Sequence, residues 1–279
     1  MRNRNHKAFT LTELAVVIGS IAVLFSLMLP VAAKARATAR ATSCLSNLRQ
    51  MGNAWMVYSA DNRGALPAYV WNTPQGPTVA WKGSWPGILD ASAVRGSSLL
   101  CPEADAPLIS DAINLQPRVV AGAKPVPPRM GYGSASNAWT GRYGSIGTGV
   151  RFDKPNYREG SYGSNRYATA GNGLGPNGRA SNLMSVKTPL CDIPIFMDCV
   201  YADVAPSNGI PAVPVAMPPD LTGMNVVPGT PEHWKLLIAR HGRAINVCMA
   251  DGSVRLVPLS ELYSLTWKTG WQKYDLQVP

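Results

Sequence analysis

The sequence AFTLTELAVVIGSIAVLFSLMLPVAA, residues 8–33, decides how this chain is organised. From Leu14 onward the stretch carries no charged side chain, and Leu, Ile, Val, Ala, Phe and Met dominate it. A helix over these residues would be about 30 Å long, which is enough to cross the hydrocarbon core of a bilayer. Glu13 does not fit a simple anchor, because it places a carboxylate at the start of the apolar run, where burial in lipid is costly.

The residues around Glu13 resemble the N-terminus of type IV pilins and of type II secretion pseudopilins. The resemblance lies in Ala8, Phe9 and the Thr-Leu-Thr-Glu that follows, ahead of the apolar run. It implies that a prepilin peptidase removes residues 1–8 and methylates the new amine of Phe9. Two departures, Ala8 where Gly is commoner and Thr12 where Ile is usual, leave this processing compatible with the sequence.

The same resemblance implies an assembly role for Glu13. Its carboxylate would meet the N-terminal amine of a neighbouring subunit in a water-poor filament core. The physics agrees with this role, since an isolated buried charge is costly and a paired one is tolerated.

Two alternatives remain open for the N-terminus: an ordinary secretory signal peptide and a plain membrane anchor. Residues 33–35 and 35–37 both match the A-x-A pattern of a signal cleavage site. The apolar run is longer than the usual ~7–15 residues of a signal peptide, and Glu13 interrupts its start. With a signal sequence, the chain would be a secreted or membrane-anchored binding module for glycans or surfaces, with aromatic-rich loops as its binding surface.

Beyond residue 33 the pattern predicts that the helix continues to about residue 59. Apolar residues recur at alternating spacings of three and four, which is typical of an amphipathic helix: Ala41, Cys44, Leu48, Met51, Trp55 and Tyr58. A turn cluster at residues 61–64, followed by Pro67, predicts the end of the helix. We therefore expect a long helix over residues 9–60, with residues 9–33 in a membrane or filament core.

Residues 61–279 are expected to form a loop-rich extracytoplasmic β domain. The chain holds 26 Gly and 24 Pro, only 15% of its residues are charged, and its strand-like runs are short. The predicted fold class is α+β: a long N-terminal helix packed on a small antiparallel β-sheet domain with long loops, as in pilins.

The C-terminal stretch ARHGRAINVCMADGSVRLV, residues 239–257, separates His241 from Asp251-Gly252 by nine residues. Residues 245–250 and 253–257 are strand-like, and Asp-Gly between them predicts a β-hairpin. The spacing resembles the H-X9-DG signature of pilin-like proteins, and residues 44–67 and 161–165 resemble other motifs of that group. Because an extended strand would separate His241 from Asp251, we expect structural roles for both and no catalysis.

The five cysteines would lie on the oxidising side of the membrane. Two disulfides and one free thiol allow fifteen arrangements, and the sequence does not choose among them. Our hypotheses are Cys44–Cys101, which would tie the helix to the domain, and Cys191–Cys199. Cys248 would be buried in its strand.

No residue set in the sequence indicates an enzyme, and we expect the chain to have no catalytic activity of its own. No His-Glu zinc motif, nucleophile elbow or phosphate-binding loop occurs. We predict no metal ligand and no cofactor. A structural calcium ion at Asp192, Asp198 and Asp203, which the pseudopilin resemblance suggests, stays an alternative without EF-hand spacing to support it.

The formal net charge of +10 is not gathered into a Lys/Arg-rich run, so nucleic acid is not a predicted partner. Arg2, Arg4 and Lys7 would hold the N-terminus in the cytoplasm. We expect a single-pass inner-membrane protein that becomes part of an extracytoplasmic or cell-surface filament.

The predicted function is a structural subunit, a pilin or pseudopilin, of a type IV pilus-like or type II secretion filament. Its expected partners are copies of itself, other pilin-like subunits, the prepilin peptidase, the inner-membrane assembly platform and the lipid bilayer. The sequence does not choose between a surface pilus, a secretion pseudopilus and an uptake machine.

Overall fold

The chain divides into two compact units, Met1–Thr42 and Ser43–Pro279. The structure is a computed structural model that describes residues 11–67, 85, 88–89, 92, 94, 96–104, 130–131, 139–142, 157–170, 182, 184, 186–207, 217–226 and 230–278. The division falls within a helix, between Thr42 and Ser43, and not at the helix end near residue 60.

The long N-terminal helix predicted from the sequence is present as α1, Leu11–Asp61, with 51 residues. Pro30 lies inside it without ending it. The helix ends at the predicted turn cluster, where the amide of Gly64 donates to the carbonyl of Ser59 at 2.6 Å. Arg63 and Gly64 adopt positive φ angles of 55° and 81°, which is a common way to close a helix.

A five-stranded sheet forms the centre of the second unit, in the order β6-β4-β5-β7-β8. Its strands are β4 (Tyr162–Asn165), β5 (Pro194–Asp198), β6 (Asp203–Val204), β7 (Ala244–Met249) and β8 (Val254–Pro258). Neighbours are antiparallel except β4 and β6, which are parallel. The predicted α+β class is therefore confirmed. The sheet is mixed, whereas we predicted a wholly antiparallel one.

The parallel pair arises because the chain crosses β4 on its way from β5 to β6. Residues 199–202 pass directly over Gly163, where an added Cβ would collide with the carbonyl oxygen of Tyr201. Glycine at this position lets the crossing segment lie close enough for the amide of Ser164 to donate to the Ala202 carbonyl at 3.0 Å.

A second, three-stranded antiparallel sheet has the order β1-β2-β3. It comprises β1 (Met130–Gly131), β2 (Trp139–Arg142) and β3 (Tyr157–Gly160). These strands fall in a Gly-rich stretch whose sequence pattern does not predict them.

Both faces of the five-stranded sheet are covered by apolar side chains. Alternate residues of a strand point to opposite faces, so Phe196 packs towards α1 and Met197 packs away from it. On the α1 face the buried cluster includes Cys44, Leu48, Met51, Trp55, Tyr162, Phe196 and Cys248. On the opposite face it includes Ile245, Val247, Val257, Leu262, Tyr263, Trp267 and Trp271.

The two edge strands of this sheet differ in length. β6 has two residues, whereas β8 has five and ends at Pro258. On β8, Arg255 and Leu256 are exposed and Val257 is buried.

Candidate functional site

The apolar segment of α1 is the first candidate site. In the first unit its Leu, Ile, Val, Phe and Met side chains are exposed along the segment from Leu11 to Val31. Among the described residues, α1 is the one helix long and apolar enough to cross a membrane. This segment is consistent with membrane anchoring.

Two hydroxyl groups inside this segment are satisfied by the helix itself. Ser20 donates to the carbonyl of Val17 at 2.8 Å, and Ser26 donates to the carbonyl of Val23 at 2.7 Å. Because a polar group in lipid is costly only when it lacks a hydrogen bond, neither serine opposes burial of the segment.

Glu13 lies in the first turn of α1 and is exposed. A carboxylate is favoured in a first turn, because the helix dipole presents its positive end there. Ala8 and Phe9, the predicted cleavage and methylation residues, lie outside the described residues.

The second half of α1 packs on the five-stranded sheet, as predicted from its regularly spaced apolar residues, which we call the apolar stripe. Cys44, Leu48, Met51 and Trp55 of the stripe are buried, while Ala41 and Tyr58 are half-buried. The helix comes so close to β7 that a Cβ added at Gly52 would lie 2.5 Å from Sγ of Cys248. A glycine is therefore needed where helix and strand meet.

Cys44 forms a disulfide with Cys101, as predicted, with a Cα–Cα distance of 5.1 Å. The segment carrying Cys101 is also held by hydrogen bonds from both sides. Asn47 of α1 donates to the Leu100 carbonyl at 2.9 Å, and the Ser161 amide donates to the Leu99 carbonyl at 2.9 Å. The disulfide therefore joins α1 to a segment that is itself attached next to β4.

The second predicted disulfide, Cys191–Cys199, is wrong. The structure describes both residues and leaves both thiols free, Cys191 exposed and Cys199 buried. The extended strand β5 lies between them and spans about 17 Å, whereas a disulfide requires Cα atoms within about 7 Å. Burial raises the pKa of the Cys199 thiol to about 12, and it raises the pKa of the Cys248 thiol to about 12 as well.

His241 of the H-X9-DG signature lies next to the disulfide. Its Nε2 atom is 3.5 Å from Sγ of Cys101 and 3.3 Å from Oδ2 of Asp198. The turn at residues 240–243, just before β7, places the imidazole there, and its side chain is 3% exposed.

Asp198, at the end of β5, forms a fully buried ion pair with Arg240. Their side chains are 0% exposed, and Nη1 of Arg240 lies 3.3 Å from Oδ1 of Asp198. Arg240 also donates to the Ser161 carbonyl, and the backbone amide of Asn246 donates to Oδ2 of Asp198 at 2.8 Å. Both carboxylate oxygens are therefore engaged, which compensates the cost of burying the charges. We call Cys44, Cys101, Asp198, Arg240 and His241 the disulfide cluster.

Polar side chains on the same sheet face surround the disulfide cluster. Tyr162 is the cross-strand neighbour of Asp198, and its hydroxyl is 3.4 Å from Nδ2 of Asn47. Burial, followed by the Asp198 carboxylate, raises the pKa of the Tyr162 phenol. The buried side chain of Asn246 shares this face with Cys248. Neither Oδ1 nor Nδ2 of this side chain has a hydrogen-bond partner in the described part of the chain.

Asp251 and Gly252 lie at the hairpin turn between β7 and β8 and are not brought to His241. Oδ1 of Asp251 accepts hydrogen bonds from the amide of Ser253 at 2.9 Å and from its hydroxyl at 2.6 Å. Gly252 has a φ of 83°, which favours glycine. The predicted hairpin is confirmed, with residues 250–253 as its loop.

The three aspartates considered for calcium are engaged by separate cations. Asp192 lies 2.7 Å from Lys273, Asp203 lies 2.9 Å from Arg166, and Asp198 faces Arg240. Within the described ranges they do not form one ligand group.

The sequence did not identify Arg240, Asn47, Tyr162 or Asn246 as parts of a site. One signal was available in residues 193–200, where Asp198 is a charged residue inside an otherwise apolar strand. A buried carboxylate needs a partner, and Arg240 next to the signature His241 was a candidate.

Residues 33–92 match a family described as a protein of unknown function, DUF1559. This match and the apolar helix are consistent with the pilin-like resemblance of the chain. The matched residues include the second half of α1 and Cys44 but not His241. No curated protein and no solved structure is significantly similar to the chain.

Proposed function

We propose that this chain is a structural subunit of a type IV pilus-like or type II secretion-like filament. A prepilin peptidase would cut between Ala8 and Phe9 and methylate Phe9, so the chain is a substrate of an enzyme and not an enzyme. Before assembly it would be a single-pass inner-membrane protein with a cytoplasmic N-terminus. Afterwards, copies of it and other pilin-like subunits would pack through α1, with the assembly platform as a further partner.

The observation that carries the proposal is the position of Glu13, which lies in the first turn of α1 and is followed by twenty uncharged residues. A chain that needed only an anchor would be more stable in lipid with an apolar residue there. A neighbour's terminal amine would compensate the carboxylate once both lie in a filament core. The DUF1559 match and the exposed apolar face of α1 support the same function.

The first test is the mass and N-terminal sequence of the chain isolated from its native membrane or from sheared surface material. The proposal expects a chain that begins at Phe9 and carries one additional methyl group. A chain that begins near residue 36 or 38 would have lost Glu13 and the anchor together. That result would replace the filament subunit by a secreted binding module.

Glu13→Ala tests assembly separately from folding. We expect normal processing and a normally folded second unit, but no incorporation into filaments, which sedimentation of sheared material would measure. Glu261→Ala is the matched control, since Glu261 is an exposed carboxylate on the 3₁₀ helix Leu259–Ser264 of the second unit. Filaments that contain Glu13→Ala at the level of this control would refute the assembly role.

A further inference from the structure

We propose that Cys44, Cys101 and His241 bind a zinc ion when the disulfide between the two cysteines is reduced, with the Asp198 carboxylate beside them to balance charge. The same sulfur atoms serve either the disulfide or the metal, so the two states exclude each other. The disulfide cluster would therefore be a redox-dependent metal site that fastens α1 in both states. This inference does not depend on filament assembly.

Three ligand atoms lie close enough together to bind one zinc ion. The two sulfur atoms and a ring nitrogen of His241 all lie within 4.8 Å of one another. Nε2 of His241 is 3.5 Å from Sγ of Cys101 and 3.3 Å from Oδ2 of Asp198. Zinc holds sulfur at about 2.3 Å and nitrogen or oxygen at about 2.0–2.2 Å, which puts neighbouring ligand atoms about 3.3–3.8 Å apart.

The charges around the site also balance. Two thiolates and the Asp198 carboxylate carry three negative charges, and Zn²⁺ with the Arg240 guanidinium carries three positive charges. This balance matters because Asp198 and Arg240 are 0% exposed and a net charge there would be strongly unfavourable. Arg240 acts as a positioning residue, since it holds Oδ1 of Asp198, while Oδ2 accepts from the backbone amide of Asn246 and faces His241.

The redox step needs a named reductant. In the cell a dithiol would supply two electrons and two protons, giving two cysteine thiols while the dithiol closes to its own disulfide. In vitro a phosphine attacks one sulfur and the S–S bond breaks. Water then supplies the oxygen of the phosphine oxide and the two thiol protons. Zn²⁺ displaces those two protons when it binds the thiolates.

The test uses the full-length chain in detergent micelles, reduced anaerobically with a phosphine, desalted and titrated with Co²⁺ as a coloured substitute for zinc. We expect thiolate-to-cobalt charge-transfer absorption that saturates at one ion per chain and disappears when Zn²⁺ is added. The oxidised chain should show no such absorption. A reduced, folded chain without the absorption would overturn the proposal.

Variants separate the residues of the proposed site, the ligand His241 and the charge-balancing Asp198, from other groups. His241→Ala and Asp198→Asn should each weaken Co²⁺ binding at least about tenfold. Cys191→Ser and Asp192→Asn, an exposed thiol and a half-exposed carboxylate outside the cluster, are the matched controls and should leave binding unchanged. Equal affinities of His241→Ala and wild type would overturn the role of the imidazole and with it the site.

Thiol protection gives a second measurement that requires no variant to fold. In the reduced wild-type chain, Zn²⁺ should protect Cys44 and Cys101 from alkylation, as mapped by peptide mass, while Cys191 stays reactive. Equal alkylation with and without Zn²⁺ would contradict the proposal. If reduction unfolds the second unit, Zn²⁺ should restore its near-ultraviolet circular dichroism, and failure to do so would also overturn the site.

Discussion

At the scale of single residues, Asp198 shows how one charge organises the interior of the second unit. It ends a buried apolar strand, and its two carboxylate oxygens contact Arg240, His241 and the backbone amide of Asn246. The sequence displays the charge inside the apolar run but not its partners, because Arg240 and His241 follow more than forty residues later.

We expect Asp198→Asn to lower the free energy of unfolding by about 3–5 kcal/mol, because it leaves the Arg240 guanidinium buried without a counter-charge. Asp192→Asn is the comparison, since the Asp192–Lys273 pair has side chains 35% and 43% exposed and should cost at most about 1 kcal/mol. Urea unfolding followed by tryptophan fluorescence measures both. Similar losses for the two variants would show that the buried pair contributes no more than a surface pair.

Gly52 is a second residue whose size is decisive, because any side chain there meets Sγ of Cys248. We expect Gly52→Ala to destabilise the second unit by about 1–3 kcal/mol through overpacking. Gly19→Ala in the same helix meets no atom within 4 Å and should leave the unfolding of the second unit unchanged. An unchanged urea midpoint for Gly52→Ala would mean that α1 can move away from β7 without loss.

At the scale of elements, α1 is one helix whose two halves differ chemically. The first half is apolar on all sides, whereas the second half has a buried apolar stripe on one side and charged and polar residues on the others. Both parts could be predicted, because composition and a 3.6-residue period are local properties of the sequence. The β7–β8 hairpin was predictable for the same reason, since Asp251 and Gly252 favour its turn.

The parallel pair β4–β6 and the three-stranded sheet could not be predicted in this way. β6 has two residues, too few for a period, and its position depends on the crossing over Gly163. The predicted disulfide Cys44–Cys101 is correct, because the segment that carries Cys101 is held beside α1. The predicted disulfide Cys191–Cys199 is wrong, because β5 separates the two cysteines. Pairing of distant residues is a tertiary property that local pattern does not carry.

The Cys44–Cys101 disulfide should contribute about 4 kcal/mol to the stability of the second unit, because it closes a sequence separation of 57 residues. We expect the double variant Cys44→Ser, Cys101→Ser to lose about 2–4 kcal/mol in urea unfolding with a chelator present. Cys191→Ser removes an exposed free thiol and serves as the control, with a change of about 0.5 kcal/mol or less. A double variant as stable as this control would show that the hydrogen bonds of Asn47 and Ser161 hold the segment unaided.

At the scale of the whole molecule, the exposed apolar surface and the buried cores belong to different units. Large exposed apolar side chains are concentrated in the first unit, whereas both buried clusters lie in Ser43–Pro279. Solubility and folding should therefore be separable by truncation.

We expect a chain that begins at residue 43 to remain in solution without detergent and to unfold cooperatively, while the full-length chain requires detergent. A chain that begins at residue 57 is the control. It lacks Cys44, Leu48, Met51 and Trp55 of the buried cluster and should not fold. Gel filtration and circular dichroism measure both. Precipitation of the longer fragment would show that the second unit needs the first for solubility.

The edges of the five-stranded sheet bear on how copies of the chain behave when they are crowded together. An exposed strand edge invites pairing with a strand of another molecule, which leads to aggregation. β6 offers only two residues for such pairing, and β8 carries Arg255 at its edge and ends at Pro258, which has no amide hydrogen to donate. Many copies could therefore lie side by side on a membrane without joining sheet to sheet.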